Sequence, residues 1–212
     1  MGGNSKDEVK PKAFGADIKY LKCPVCKAAA ASLVDTVTIQ RAADPQIRLG
    51  DEALIELVEK ACNPHTDEGE WILSHDYLRT EDKTLQLTRH DSYGKCNREC
   101  ETIQQACEAV VGAYDTDIAD ALYRQKSVEQ LTALMCTEDG LGAPCQGKQK
   151  MKKARKADEK FEPISKEDHE TAKLMRSMGD MGLRGGTQED FRRPLHSHGP
   201  VRPWLKHLKR GG

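Results

Sequence analysis

Residues 22–33 read Lys22-Cys23-Pro24-Val25-Cys26-Lys27-Ala28-Ala29-Ala30-Ala31-Ser32-Leu33. A Cys-x-x-Cys pair runs straight into an alanine-rich stretch of high helix propensity. Val25, Ala29, Leu33 and Val37 fall near one face, which predicts a helix from Cys23 to about Gln40. Two cysteines so placed can be a redox dithiol, half of a zinc site, or the ends of structural staples. Each reading leads to a different fold.

A redox dithiol of the thioredoxin type needs a thiolate at a helix N-terminus within an α/β fold. Lys22 and Lys27 flank the pair and would favour a thiolate, but no βαβ pattern surrounds it. A zinc site needs a second pair at close spacing. Cys96 and Cys100 lie far downstream, and no histidine stands at ligand spacing from any pair. Staples are the third reading. Cys23, Cys26, Cys62, Cys107, Cys136 and Cys145 fall at the ends or on the faces of predicted helices, which suits a nested scheme. Spacing alone does not choose among the connectivities open to eight cysteines.

Working outward, Asp51–Cys62 is predicted as a second helix, with Leu54, Leu57, Val58 and Ala61 as its apolar stripe. Asp51 and Glu52 in its first turn suit the helix dipole, and Asn63-Pro64 breaks it. Residues 71–90 change character: Leu85 and Leu87 alternate with polar neighbours, and Thr80-Glu81-Asp82-Lys83 can turn. A small hairpin is expected there. Helix returns over Glu99–Tyr114, where Ile103, Cys107, Val110, Val111 and Tyr114 share one face. Thr116–Arg124 and Ser127–Cys136 complete the set, and Ser127-x-x-Gln130 reads as a capping box. Aromatic residues make up only 5% of the 212-residue chain, so a core built from these short helices needs covalent help.

Charge divides the chain. Residues 1–145 hold 16 Lys+Arg against 25 Asp+Glu, and residues 146–212 hold 17 against 9, so −9 faces +8. All eight cysteines lie in the acidic part. The expected organisation is a polar arm over 1–19, a helical domain over 20–146, and a basic, largely irregular tail over 147–212 with a short helix at 166–178. Ser165-x-x-Asp168 would start that helix, with Leu174, Met175 and Met178 on one side. Phe191, Arg192, Arg193, Leu195, Trp204 and Leu205 are the expected partner-binding residues of the tail.

The order of helices and cysteines resembles a saposin-B-type domain, and more narrowly the Canopy family of endoplasmic-reticulum proteins. The residues that carry the resemblance are Cys23-Pro24-Val25-Cys26-Lys27-Ala28, Glu59-Lys60-Ala61-Cys62 and Ala106-Cys107-Glu108-Ala109-Val110-Val111 with Tyr114. Leu134-Met135-Cys136 and Cys145 fit as well, so the match covers about residues 20–146. The resemblance implies a mainly α, saposin-like bundle of four or five disulfide-stapled helices. It implies the pairs Cys23–Cys145, Cys26–Cys136 and Cys62–Cys107. Cys96 and Cys100 depart from the six-cysteine plan; their pairing stays open, a bond to each other at the entrance of the third helix being one option.

The functional expectation follows from that resemblance: a non-enzymatic protein-binding module, acting as a lumenal folding accessory or co-chaperone. A structural accessory subunit of a larger assembly, membrane-associated or not, anchored by the tail, is the alternative. Protein partners would contact the basic tail and the helical core. Lipid binding ranks lower, because the apolar stripes suffice for one closed core and no more. Nucleic acid is not expected, because the basic run Lys148–Lys156 lacks interleaved aromatics. Asp35, Asp51, Glu52, Glu56 and Glu59 read as solvated helix faces, and His65, His75 and His90 as surface histidines. No catalytic, cofactor or metal site is expected. Cysteine usage points to an oxidising lumen, whether the endoplasmic reticulum or another. The first twenty residues have no apolar targeting core, so a targeting segment is expected outside this numbering.

Overall fold

The computed structural model describes residues 11–44, 46–47, 49–147, 150–151 and 158–180. The chain divides into two compact units after Thr171. The first is mainly helical. Its helices are α1 (Ile18–Ala43), α2 (Asp51–Lys60), α3 (Arg98–Val111), α4 (Asp115–Tyr123) and α5 (Val128–Cys136). Helix α6 (Lys166–Asp180) runs on into the second unit.

Helix α1 is the spine. Leu21, Val25, Cys26, Ala29, Ala30, Leu33 and Val37 are buried along it, at spacings that keep to one face. The small alanines let neighbouring helices come close, and α1 packs on α3 and α5. Helix α2 packs on α4 through Leu54, Leu57 and Val58. The core is aliphatic, with Tyr77 its largest fully buried side chain. Helix α5 begins as the sequence predicts: Ser127 Oγ accepts from Gln130 N–H, and Gln130 Oε1 accepts from Ser127 N–H.

Between α2 and α3 lies the small antiparallel sheet, β1 (His75–Arg79) and β2 (Leu85–Arg89), with Tyr77 opposite Leu87. Trp71–Ser74, read from sequence as part of the hairpin segment, instead belong to a 3-10 turn, Glu70–Ser74.

The packed unit extends on both sides of residues 20–146. Helix α1 begins at Ile18, ahead of the predicted start at Cys23. Before it, Phe14 N–H donates to Thr102 Oγ1 at 2.8 Å, and the Arg98 guanidinium lies 3.9 Å from the Phe14 ring centre. Asp17 is buried and accepts from the Tyr77 hydroxyl at 3.2 Å.

Among the described residues, no helix is long and apolar enough to cross a membrane. The partner-binding residues expected at 191–205 lie outside the described residues, as do all others beyond 180.

Candidate functional site

All eight cysteines are in disulfides: Cys23–Cys145, Cys26–Cys136, Cys62–Cys107 and Cys96–Cys100. The first two tie successive turns of α1 to the end of α5 and the loop beyond it. The third ties the end of α2 to α3. The fourth closes a short loop at the entrance of α3.

Beyond Cys26, an open groove runs along α1. Ser32, Asp35 and Ile39 form one wall; Trp71, His75 and Tyr93 stand on the other. Its volume is about 770 Å³. Ala28, His75 and Arg89 also border a second stretch of about 500 Å³, where α1 faces β2. The far wall is anchored through Trp71, whose indole N–H donates to the Ala61 carbonyl at 2.9 Å, next to the Cys62–Cys107 bridge.

Charge is uneven along this surface. Asp35, Asp67, Glu70 and Asp91 border the longer stretch. The stretch beside β2 carries Lys27 and Arg89, with no carboxylate among the described residues of its lining. His75 sits where the two meet. Its Nδ1 lies 2.7 Å from the Trp71 carbonyl oxygen, so that nitrogen carries the proton and Nε2 is left as an acceptor. Burial pushes the His75 pKa below its usual value, and the nearby positive charge of Arg89 adds to this; the Trp71 carbonyl opposes it.

A strap made by residues 158–169 lies across residues 90–99. Glu99 Oε1 accepts from Glu159 N–H, and Glu159 Oε2 accepts from Glu99 N–H, both at 3.0 Å. Lys95 N–H donates to the Glu162 carbonyl, Ile164 N–H donates to the Tyr93 carbonyl, and Gly94 bridges Pro163. Phe161 stacks on His90 at 3.8 Å between ring centres, and His169 stacks on Tyr93 at 4.0 Å. Gly94 leaves room for this packing: a Cβ there would stand 2.6 Å from the Phe161 ring, which would have to shift.

Reading the histidines as surface groups holds for His65, which is exposed, but not for the other two. His75 is half-buried against Trp71, and His90 lies 3.0 Å from the buried Asp76 carboxylate and beneath Phe161. Asp35, Asp51, Glu52, Glu56 and Glu59 are exposed, as read. The sequence reading missed the strap altogether. Its one signal was Phe161-Glu162-Pro163-Ile164, an apolar interruption in a charged run.

Comparison of the chain with models of protein families, with curated proteins and with solved structures gives no match.

Proposed function

We propose that the protein is a non-enzymatic, disulfide-stabilised protein-binding module, a Canopy-like folding accessory or co-chaperone of an oxidising lumen such as the endoplasmic reticulum. Four intramolecular disulfides are consistent with an oxidising extracellular or lumenal compartment. The observation that carries the reading is the groove along α1, open to solvent and set in a bundle whose elements the disulfides tie together. A binder whose surface is held in place loses less entropy on association than a flexible one. Ile39, 66% exposed in the groove lining, offers an apolar anchor.

A photo-crosslinking residue at position 39 of the full-length, oxidised protein, introduced in its native source, tests the proposal. Adducts with protein, lost when the disulfides are reduced before irradiation, are expected. Adducts with lipid alone, or none with protein, would overturn it.

One observation favours the second reading, an accessory subunit held in a larger assembly. Leu174, Met175 and Met178 of α6 share a side of the helix and are 60%, 68% and 41% exposed. Apolar side chains grouped in this way suit a fixed neighbour. A crosslinker at Met175 that joins one protein in stoichiometric yield, on a complex stable in native electrophoresis, would favour the subunit reading.

A further inference from the structure

We infer that the outer edge of β2 is a docking strand for an extended, acidic peptide segment of a partner protein. The inference deepens the protein-binding reading and rests on it.

The argument starts from the hydrogen-bond register of the hairpin. Thr80 N–H donates to the Thr84 carbonyl at 3.0 Å, and His90 N–H donates to the Ser74 carbonyl at 2.8 Å. Antiparallel pairs alternate between bonded and non-bonded positions. The bonded positions are therefore 80 with 84, 78 with 86, 76 with 88 and 74 with 90. At the positions between, Leu85, Leu87 and Arg89 turn their backbone N–H and C=O groups outward from β2, and His75, Tyr77 and Arg79 do so from β1.

The two edges differ. On β1, His75 N–H donates to the Ile72 carbonyl and Tyr77 N–H to the Glu99 carboxylate at 3.5 Å, which leaves Arg79 as the one outward N–H of that edge with no hydrogen-bond partner among the described residues. On β2, the outward groups of Leu85, Leu87 and Arg89 have no hydrogen-bond partner among the described residues. Leu85, Leu87 and Arg89 border the open groove of about 500 Å³ whose other wall is α1. An open strand edge is a template for another strand, and a two-stranded sheet is the smallest that can gain one.

On the opposite wall the hydrogen-bond ladder of α1 is interrupted. Pro24 lies inside α1 and has no N–H, so the Tyr20 carbonyl lacks the donor four residues on. Tyr20 and Pro24 both border this groove.

The charge selects the occupant. Among the described residues, Lys27 and Arg89 line the groove, no carboxylate does, and neither cation makes an ion pair. Arg89 shares a sheet face with Leu85 and Leu87, because side chains two apart point the same way. An added strand would therefore place two apolar residues, spaced two apart, beside Leu85 and Leu87, and a carboxylate two positions further along beside Arg89. Main-chain bonds would supply affinity and this alternation the specificity.

The test uses the full-length oxidised protein and a synthetic peptide, Thr-Glu-Thr-Val-Thr-Val-Thr-Glu-Thr, whose pattern reads alike in both strand directions. Saturable binding with new hydrogen-exchange protection at the amides of Leu85, Leu87 and Arg89 is expected. Arg89→Glu, a change at an exposed site, should weaken binding about tenfold or more, as loss of an interfacial charge pair does. N-methylation of both peptide valines should abolish binding. No added protection at those three amides, or binding indifferent to N-methylation, would overturn the inference. So would amides already protected in the free protein. Protection that grew with protein concentration would identify a second copy as the occupant, and protection independent of concentration a segment of the same chain. A photo-crosslinker at Gln86, read beside the one at Ile39, separates the two proposals: protein adducts from Ile39 alone sink the docking strand and leave the protein-binding reading standing.

Discussion

Glu99 and Glu159 exchange hydrogen bonds, each carboxylate accepting from the other's backbone N–H at 3.0 Å. Glu99 is buried at the start of α3, and it also receives Tyr77 N–H from β1. One carboxylate thus joins the helix, the hairpin and the strap. Glu99→Ala leaves buried donors without an acceptor and is expected to cost about 2–3 kcal/mol. Glu159→Ala, at a more exposed position, should cost less. Urea denaturation of the two variants checks the order, and equal losses would contradict this role for Glu99.

The disulfides should differ in worth according to the loops they close. Cys23–Cys145 spans 122 residues and Cys96–Cys100 spans four. On the chain-entropy account, removing the first pair costs about 5 kcal/mol and removing the second about 2 kcal/mol. Paired alanine substitutions, compared at equilibrium in urea, would show it. A larger loss from the short loop would mean that Cys96–Cys100 acts by holding local geometry.

Gly94→Ala should lift the strap while sparing the helical core. The added methyl meets the Phe161 ring, and Phe161 in turn covers His90. Faster limited proteolysis within residues 158–165 is expected, with the helical circular dichroism of the rest retained. Unchanged cleavage would show that the ring moves aside at no cost.

His75 predicts a pH dependence of stability. Its folded pKa lies below its unfolded value near 6.5, so the fold favours the neutral ring. The unfolded chain then binds more protons on acidification. The contribution is fully present above about pH 6.5 and is lost as pH falls from there through the lower folded pKa. Asp76, Arg89 and His90 act on the same ring, so the informative quantity is a difference between proteins. His75→Gln should flatten part of the stability slope between about pH 5 and 7. Equal slopes in both proteins would rule out His75 as a source of the dependence.

The helices were legible because their signals are local. Ile103, Cys107, Val110 and Val111 repeat at helical spacing and are buried in α3. Ser127 and Gln130, three residues apart, formed the capping box that their spacing implied. Leu85 and Leu87 alternated, and the strand followed. What stayed hidden rests on partners distant in sequence. Phe14 meets Thr102, Tyr77 meets Asp17 and Glu99 meets Glu159, and none of these residues belongs to a periodic pattern that marks it as buried. The docking edge was hidden for another reason. Which strand keeps open backbone groups depends on what packs beside it, and composition carries no record of that.

The Cys23–Cys145 bond has a mechanical consequence. It brings the Cα atoms of those residues to within 4.5 Å of each other, so the chain enters and leaves the bundle at one point. A pull on the two ends would first peel the strap, the residues before α1 and the part of α1 from Ile18 to Lys22. After that the load would pass through a single covalent bond, and the helices between would carry none of it. The α1 wall of the groove, Ser32 to Ile39, lies between the two cysteines and so outside the path of that load.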